Sequence, residues 1–154
     1  MIGVVAYWSV HPWITAHSSA TKRWLSLFTY PLRTYGGTHF FMINPKGEDI
    51  GYSSADLVYE EFESLEQILS KYPKANYVVL TGRSTQMLRD YTHPKGDTIY
   101  VTGSDYADVE FKKFIGHKAD FIGIACGEIP LWANQASTIA LYDRKVKEIG
   151  INRN

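Results

Sequence analysis

Two short apolar runs end in the same pair of residues: Leu80-Thr81-Gly82 closes one and Val101-Thr102-Gly103 the other. A hydroxyl beside a glycine at a strand end offers a ligand a polar handle and close approach to backbone donors and acceptors. The plain alternative is that each glycine makes a turn. A second group interleaves cations with aromatic rings: Lys22, Arg23, Trp24, Tyr30, Arg33 and Tyr35. These residue types neutralise phosphates and stack on bases. Two further basic clusters are Lys112, Lys113 and Lys118, and Arg144, Lys145, Lys147 and Arg153. Tyr7-Trp8 and His11-Pro12-Trp13 suit either a wall beside an acceptor or a protein interface, where such rings are enriched.

Other chemistries lack their residues. The histidines, His11, His17, His39, His93 and His117, stand singly, with no HExxH or CxxC spacing, so no metal is expected. There is no GxGxxG, no Walker-type loop and no GxSxG elbow, which argues against dinucleotide, nucleoside-triphosphate and serine-hydrolase sites. Cys126 has no evident cation near it to lower its thiol pKa and reads as a small buried residue. As the single cysteine it forms no disulfide within the chain, and a reducing, cytoplasmic setting is expected.

The elements that must position these residues follow from periodicity. Strands are expected at Ile2–Trp8, Thr38–Ile43, Asn76–Leu80, Thr98–Val101 and Asp120–Ala125. The second ends at the turn Asn44-Pro45-Lys46-Gly47. Helices are expected at Thr15–Thr29, with Trp24, Leu25, Leu27 and Phe28 as its apolar face and Pro31 interrupting it. Others are expected at Asp56–Lys71, Ser84–Tyr91, Asp108–Ile115 and Leu131–Ile149, the last with Ile139, Val146 and Ile149 apolar. In Asp56–Lys71, Leu57, Phe62, Leu65, Ile68 and Leu69 face inward, and Glu60, Glu61, Glu63 and Glu66 form a solvated face. Near-continuous apolar strands alternating with helices predict an α/β fold: a mostly parallel sheet with helices on both faces.

The chain has 154 residues and no composition break, so one α/β domain over 1–154 is expected. The apolar share is 45% and the charged share 21%, which excludes disordered and collagen-like chains. No apolar run approaches the ~20 residues that cross a bilayer, and Met1–Trp8 lacks the basic region of a signal peptide. No membrane association is expected. The formal net charge is zero, so any nucleic-acid surface must be a local patch.

The second half has a recognisable order. Leu80-Thr81-Gly82, a short helix and a turn lead to Thr102-Gly103-Ser104-Asp105. Ile122-Gly123-Ile124-Ala125-Cys126-Gly127 follows, and Leu131-Trp132-Ala133-Asn134-Gln135-Ala136-Ser137 opens the last helix. This order resembles the SPOUT class of RNA methyltransferases, in particular its ribose 2′-O branch. The resemblance implies a carboxyl-terminal trefoil knot, a homodimer, S-adenosylmethionine as cofactor and RNA, tRNA foremost, as substrate. The stretch His17-Ser18-Ser19-Ala20-Thr21-Lys22-Arg23 corresponds to the family's first motif and puts Arg23 at its catalytic arginine. Several positions depart from the family. Its Gly-x-Glu is here Gly103-Ser104-Asp105, its Ser-Leu-Asn-x-Ser is Pro130-Leu131-Trp132-Ala133-Asn134, and the Asn and Gly of the first motif are replaced.

On that resemblance Leu80, Ile122, Ile124 and Leu131 would wall the adenine, although all four also suit a core. Gly82 and Gly103 would allow close backbone approach, and Thr81, Thr102 and Asn134 would meet the polar parts of the cofactor. Arg23 would stabilise the ribose oxyanion, with Asn134 beside it in the catalytic set; a plain surface arginine fits Arg23 as well. Asp105 would orient Arg23 or cap the next helix. Three readings stand on the sequence: an active RNA methyltransferase; a degenerate SPOUT-like protein that binds a nucleoside ligand, RNA or a protein partner; and an unrelated flavodoxin-like nucleotide-handling enzyme.

Overall fold

A computed structural model describes residues 1–8, 18–104, 107–124 and 131–152. Its strands are β1 (Ile2–Tyr7), β2 (His39–Ile43), β3 (Val58–Phe62), β4 (Asn76–Leu80), β5 (Thr98–Val101) and β6 (Lys118–Ile122). They form one sheet in the order β3-β2-β1-β5-β4-β6, and every neighbouring pair is parallel. The helices are α1 (Ser19–Thr34), α2 (Leu65–Lys71) and α3 (Ala133–Asn152), with single 3-10 turns at Leu88–Asp90 and Phe111–Phe114.

Alternation along the strands divides the core into two layers. Val4, Ala6, Phe40, Met42, Val78, Leu80, Tyr100 and Ile122 face Leu25, Phe28 and Leu32 of α1 and Ala140 and Leu141 of α3. Val5, Phe41, Ile43, Tyr77, Val79, Ile99 and Val101 face Leu65, Ile68 and Leu69 of α2, together with Phe114. Each such Leu, Ile or Phe stabilises the fold by roughly 1.5–3 kcal/mol on leaving water. Helices thus cover both faces, as expected from the nearly continuous apolar strands.

Several boundaries differ from the expectation, each for a local reason. The stretch Asp56–Lys71 is not one helix but β3 followed by α2. Tyr59 and Glu61 share one side of a strand, where the Tyr59 hydroxyl donates to Glu61 at 2.7 Å. Glu60 turns to the other side, against Lys71 and Tyr72. Burial raises the Glu60 pKa, but the bonds from Lys71 and Tyr72 outweigh it and hold this carboxyl below its usual range. Only Glu61, Glu63 and Glu66 of the four acids remain exposed.

Helix α1 runs through Pro31 to Thr34. The carbonyl that loses its bond there belongs to Leu27, whose side chain is 54% exposed rather than buried, so water can satisfy it. Gly36, at φ 83°, ends the helix, and Gly37 N–H donates to Leu32 O at 2.7 Å. The expected helices Ser84–Tyr91 and Asp108–Ile115 shrink to the 3-10 turns, and their first residues bond elsewhere, Ser84 to Phe121 of β6 and Asp108 to Thr81. The last strand begins at Lys118 and ends at Ile122, and the last helix begins at Ala133. Its Ile139, Val146 and Ile149 lie on the solvent side, 39%, 47% and 40% exposed.

A buried polar tie fixes α3 to the sheet. His93 Nδ1 lies 2.7 Å from the Tyr100 hydroxyl, and Nε2 lies 2.8 Å from Asp143 Oδ2. Lys147 pairs with Asp143 at 2.7 Å. Its ammonium also donates to the carbonyls of Leu88 and Tyr91 at 2.7 and 2.9 Å. Helix α3 therefore holds the turn that ends the loop after β4. No described helix is long and apolar enough to cross a membrane.

Candidate active site at the carboxyl ends of the strands

In an open parallel sheet, a ligand crevice forms where consecutive connections leave on opposite faces. Here that point lies between β1 and β5. The chain after β1 leads to α1 on one face, and the chain after β5 leads to the Phe111–Phe114 turn on the other.

The loops after β4, β5 and β6 are stitched together beside this point. Leu80 and Ile122 are register partners at the ends of β4 and β6, and Thr81 N–H donates to Ile122 O at 3.0 Å. Ser84 Oγ donates to Phe121 O at 2.6 Å. Gly123 N–H donates to Gln86 O at 2.8 Å, and Leu88 N–H to Gly123 O at 2.9 Å. A Cβ on Gly123 would meet Ser84 O at 3.0 Å, which explains the glycine. The Thr81 hydroxyl donates to Asp108 Oδ2 at 2.9 Å, tying the loop after β4 to the loop after β5. Arg83 Nε approaches the same oxygen at 3.4 Å.

Among the expected site residues, Leu80, Thr81 and Ile122 come together, and Leu80 and Ile122 are core side chains at the strand ends. Gly82 is exposed, with open space where a Cβ would stand. Gly103 answers to its own loop, since a Cβ there would lie 2.0 Å from Ala107 O. Ile124 packs at the core margin, and Leu131 is 38% exposed. Asn134 sits in the first turn of α3, half-buried, its carbonyl accepting from Ser137 and Thr138. Arg23 lies in the second turn of α1, exposed, and its side chain has no ion pair among the described residues. Ser9–His17, Asp105, Tyr106, Ala125–Pro130, Arg153 and Asn154 lie outside the described residues, so Asp105, Cys126, the His11-Pro12-Trp13 segment and part of the basic cluster ending at Arg153 do too.

Thr102 stands apart. It is 3% exposed at the end of β5, and its Oγ1 has no hydrogen-bond partner among the described residues. A buried hydroxyl without a partner costs roughly 1–3 kcal/mol, so this atom is suited to a ligand with a polar edge. These residue types suit S-adenosylmethionine: a buried hydroxyl in want of a partner, open space at Gly82, and partly exposed apolar surface at Ile124 and Leu131. Among the described residues no group of three His, Cys, Asp or Glu is placed to hold a metal ion.

Asp108, Ser84 and Gln86 were missed in the sequence. The Thr81-Gly82-Arg83-Ser84 stretch carries a turn signal for Ser84, but nothing local marks Asp108 as the partner of a threonine 27 residues away.

No family model and no curated relative matches the chain. Solved structures do. A candidate RNA methyltransferase from Bacillus anthracis superposes with a TM-score of 0.66 at 14% identity, covering 97% of this chain and 95% of that one. A structure solved for the 2-OH methylation of C/U34 on tRNA gives 0.69 at 14% identity, over 97% and 91%. A SpoU methyltransferase from Streptomyces viridochromogenes, solved with its cofactor AdoMet, gives 0.64 at 12%, over 97% and 60%. The likeness is one of fold, and it spans nearly the whole of this chain.

Proposed function

We propose that this chain is an S-adenosylmethionine-dependent RNA methyltransferase acting on a ribose 2′-hydroxyl, with tRNA as the substrate class. The observation that carries the reading is the bonding of the loops after β4 and β5, and of the start of the loop after β6, to one another, together with the buried Thr102 hydroxyl at the end of β5, which lacks a partner among the described residues. A fold shared with RNA methyltransferases supports it. A carboxyl-terminal knot belongs to the same reading.

Bound there, S-adenosylmethionine would supply the methyl group of its sulfonium: the S–CH3 bond breaks as the ribose O–CH3 bond forms, the thioether S-adenosylhomocysteine leaves, and the hydroxyl proton passes to solvent. The protein's part is placement and charge. Thr102 offers its hydroxyl to the cofactor's polar edge, and the Thr81–Asp108 bond holds two of the loops at fixed spacing. Ile124 and Leu131 supply apolar surface and limit water. The free guanidinium of Arg23 stabilises charge developing on the ribose oxygen. Asn134, at the start of α3, is the second polar group of this set.

The active form is a homodimer. On α3, Ile139, Tyr142, Val146 and Ile149 are exposed at spacings of three, four and three residues, a seam that suits a second copy of the same helix. The zero net charge leaves no long-range repulsion between copies. The lone cysteine supports a reducing, cytoplasmic setting.

The test is calorimetric titration with S-adenosylmethionine, followed by transfer of a labelled methyl group to bulk tRNA. The expected product resists alkaline hydrolysis at the methylated ribose. Arg23→Ala should lower transfer by about 10²–10³-fold with cofactor affinity nearly intact. Binding without transfer would favour a non-catalytic SPOUT-like binder. Absence of binding would end the methyl-donor account.

A further inference from the structure

We infer that the groove between α1 and the 50–55 segment seats a single-stranded stretch of the RNA substrate, a reading that rests on the RNA specificity proposed above. The groove has a volume of about 300 Å³, and Lys22, Ser26, Thr29, Tyr30 and Arg33 form its helical wall. Lys22, Ser26, Thr29 and Arg33 recur at four, three and four residues, so they share one face of α1.

The two cations decide the kind of occupant. They stand eleven residues, or about 16 Å, apart along the helix axis, too far for one phosphate to touch both and suited to a strand with several. Lys22 has no ion pair among the described residues. Among the described residues Arg33 pairs with Asp56 alone, at 3.6 Å and with a side chain 71% exposed, a contact of little strength. Tyr30 is 65% exposed. The Arg33 guanidinium lies 5.0 Å from its ring centroid, which leaves the other ring face open to a base.

The opposite wall is preformed. Ile50 is 2% exposed, and Tyr52 packs edge-on against Tyr59 and Phe40 at 4.7 and 5.8 Å. Little ordering is therefore required on binding.

The test uses a fluorescein-labelled single-stranded RNA of about 12 nucleotides, its binding followed by anisotropy from about 50 to 200 mM salt. Replacing both cations (Lys22→Ala with Arg33→Ala) should weaken binding and flatten the log–log salt slope by about 1.4, from ~0.7 per phosphate contact. Asp56→Asn removes the competing carboxylate and should tighten binding, an effect that misfolding cannot mimic. Tyr30→Ala should weaken binding about tenfold. Unchanged affinity and slope in all variants, with RNA still bound, would overturn the groove and leave the methyltransferase reading standing. Equal binding of polyglutamate would overturn it in favour of an acidic peptide. A wild-type protein that binds S-adenosylmethionine but no RNA would overturn both the groove and the RNA specificity.

Discussion

The hydroxyl of Thr81, one residue past β4, donates to the carboxylate of Asp108 in the loop after β5, at 2.9 Å. Asp108 in turn accepts from Val109 N–H at 2.7 Å, so its two oxygens fix its own loop and its neighbour at once. A bond from a neutral donor to a carboxylate contributes about 1.5–3 kcal/mol. Thr81→Val should lower Tm by several degrees and weaken S-adenosylmethionine binding, and Thr81→Ser should restore both. Calorimetry on the three proteins checks this. A valine variant with wild-type Tm and affinity would show that the bond positions nothing.

Thr102 makes a prediction of opposite sign. Its hydroxyl is buried and unpaired, so Thr102→Val should stabilise the ligand-free protein, by about 1 kcal/mol or some 2–4 °C in Tm. The same variant should bind S-adenosylmethionine about tenfold more weakly. A lower Tm with unaltered affinity would remove the hydroxyl from the site.

The apolar seam on α3 predicts assembly. Val146→Asp sets like charges opposite each other in a two-fold pair. Sedimentation should show wild-type dimers and variant monomers. Because Val146 is 47% exposed, the protomer itself should remain folded. A wild-type protein that sediments as a monomer would refute the seam.

His93 sets a pH dependence. Burial lowers its pKa, against the opposing pull of Asp143. The unfolded chain takes up a proton near pH 6.5, whereas the folded chain does so only at lower pH. The stability is therefore complete above about pH 6.5 and is lost as the pH falls toward the folded value, by at most about 1.4 kcal/mol per pH unit. His39, also lowered by burial, adds with the same sign. Thermal melts between these limits should steepen for wild type and flatten for His93→Gln. Parallel curves would show that folding leaves the His93 pKa unchanged.

Much of this architecture was legible before any coordinates. Asn76–Leu80 and Thr98–Val101 are apolar on both faces, so only a central strand accommodates them, and their bounds agree with the structure. Val58–Phe62 has a helical pattern in the sequence because it lies at the sheet edge, where half-burial lets glutamates in and blurs a period of two. The exposed stripe on α3 was read as apolar, but which side of that helix the sheet takes depends on Ala140 and Leu141, whose small and branched shapes fit the core surface.

Taken alone, the order of residues determined the layered α/β class, most strand positions and the threonine–glycine pairs at the strand ends, because burial imposes its pattern on consecutive residues. Tertiary structure decided which ends meet. The Thr81–Asp108 bond spans 27 residues, and the lack of a partner for Thr102 among the described residues shows only once its neighbours are in place. Such pairings arise from closing distant loops over a twisted sheet, and no local spacing records them.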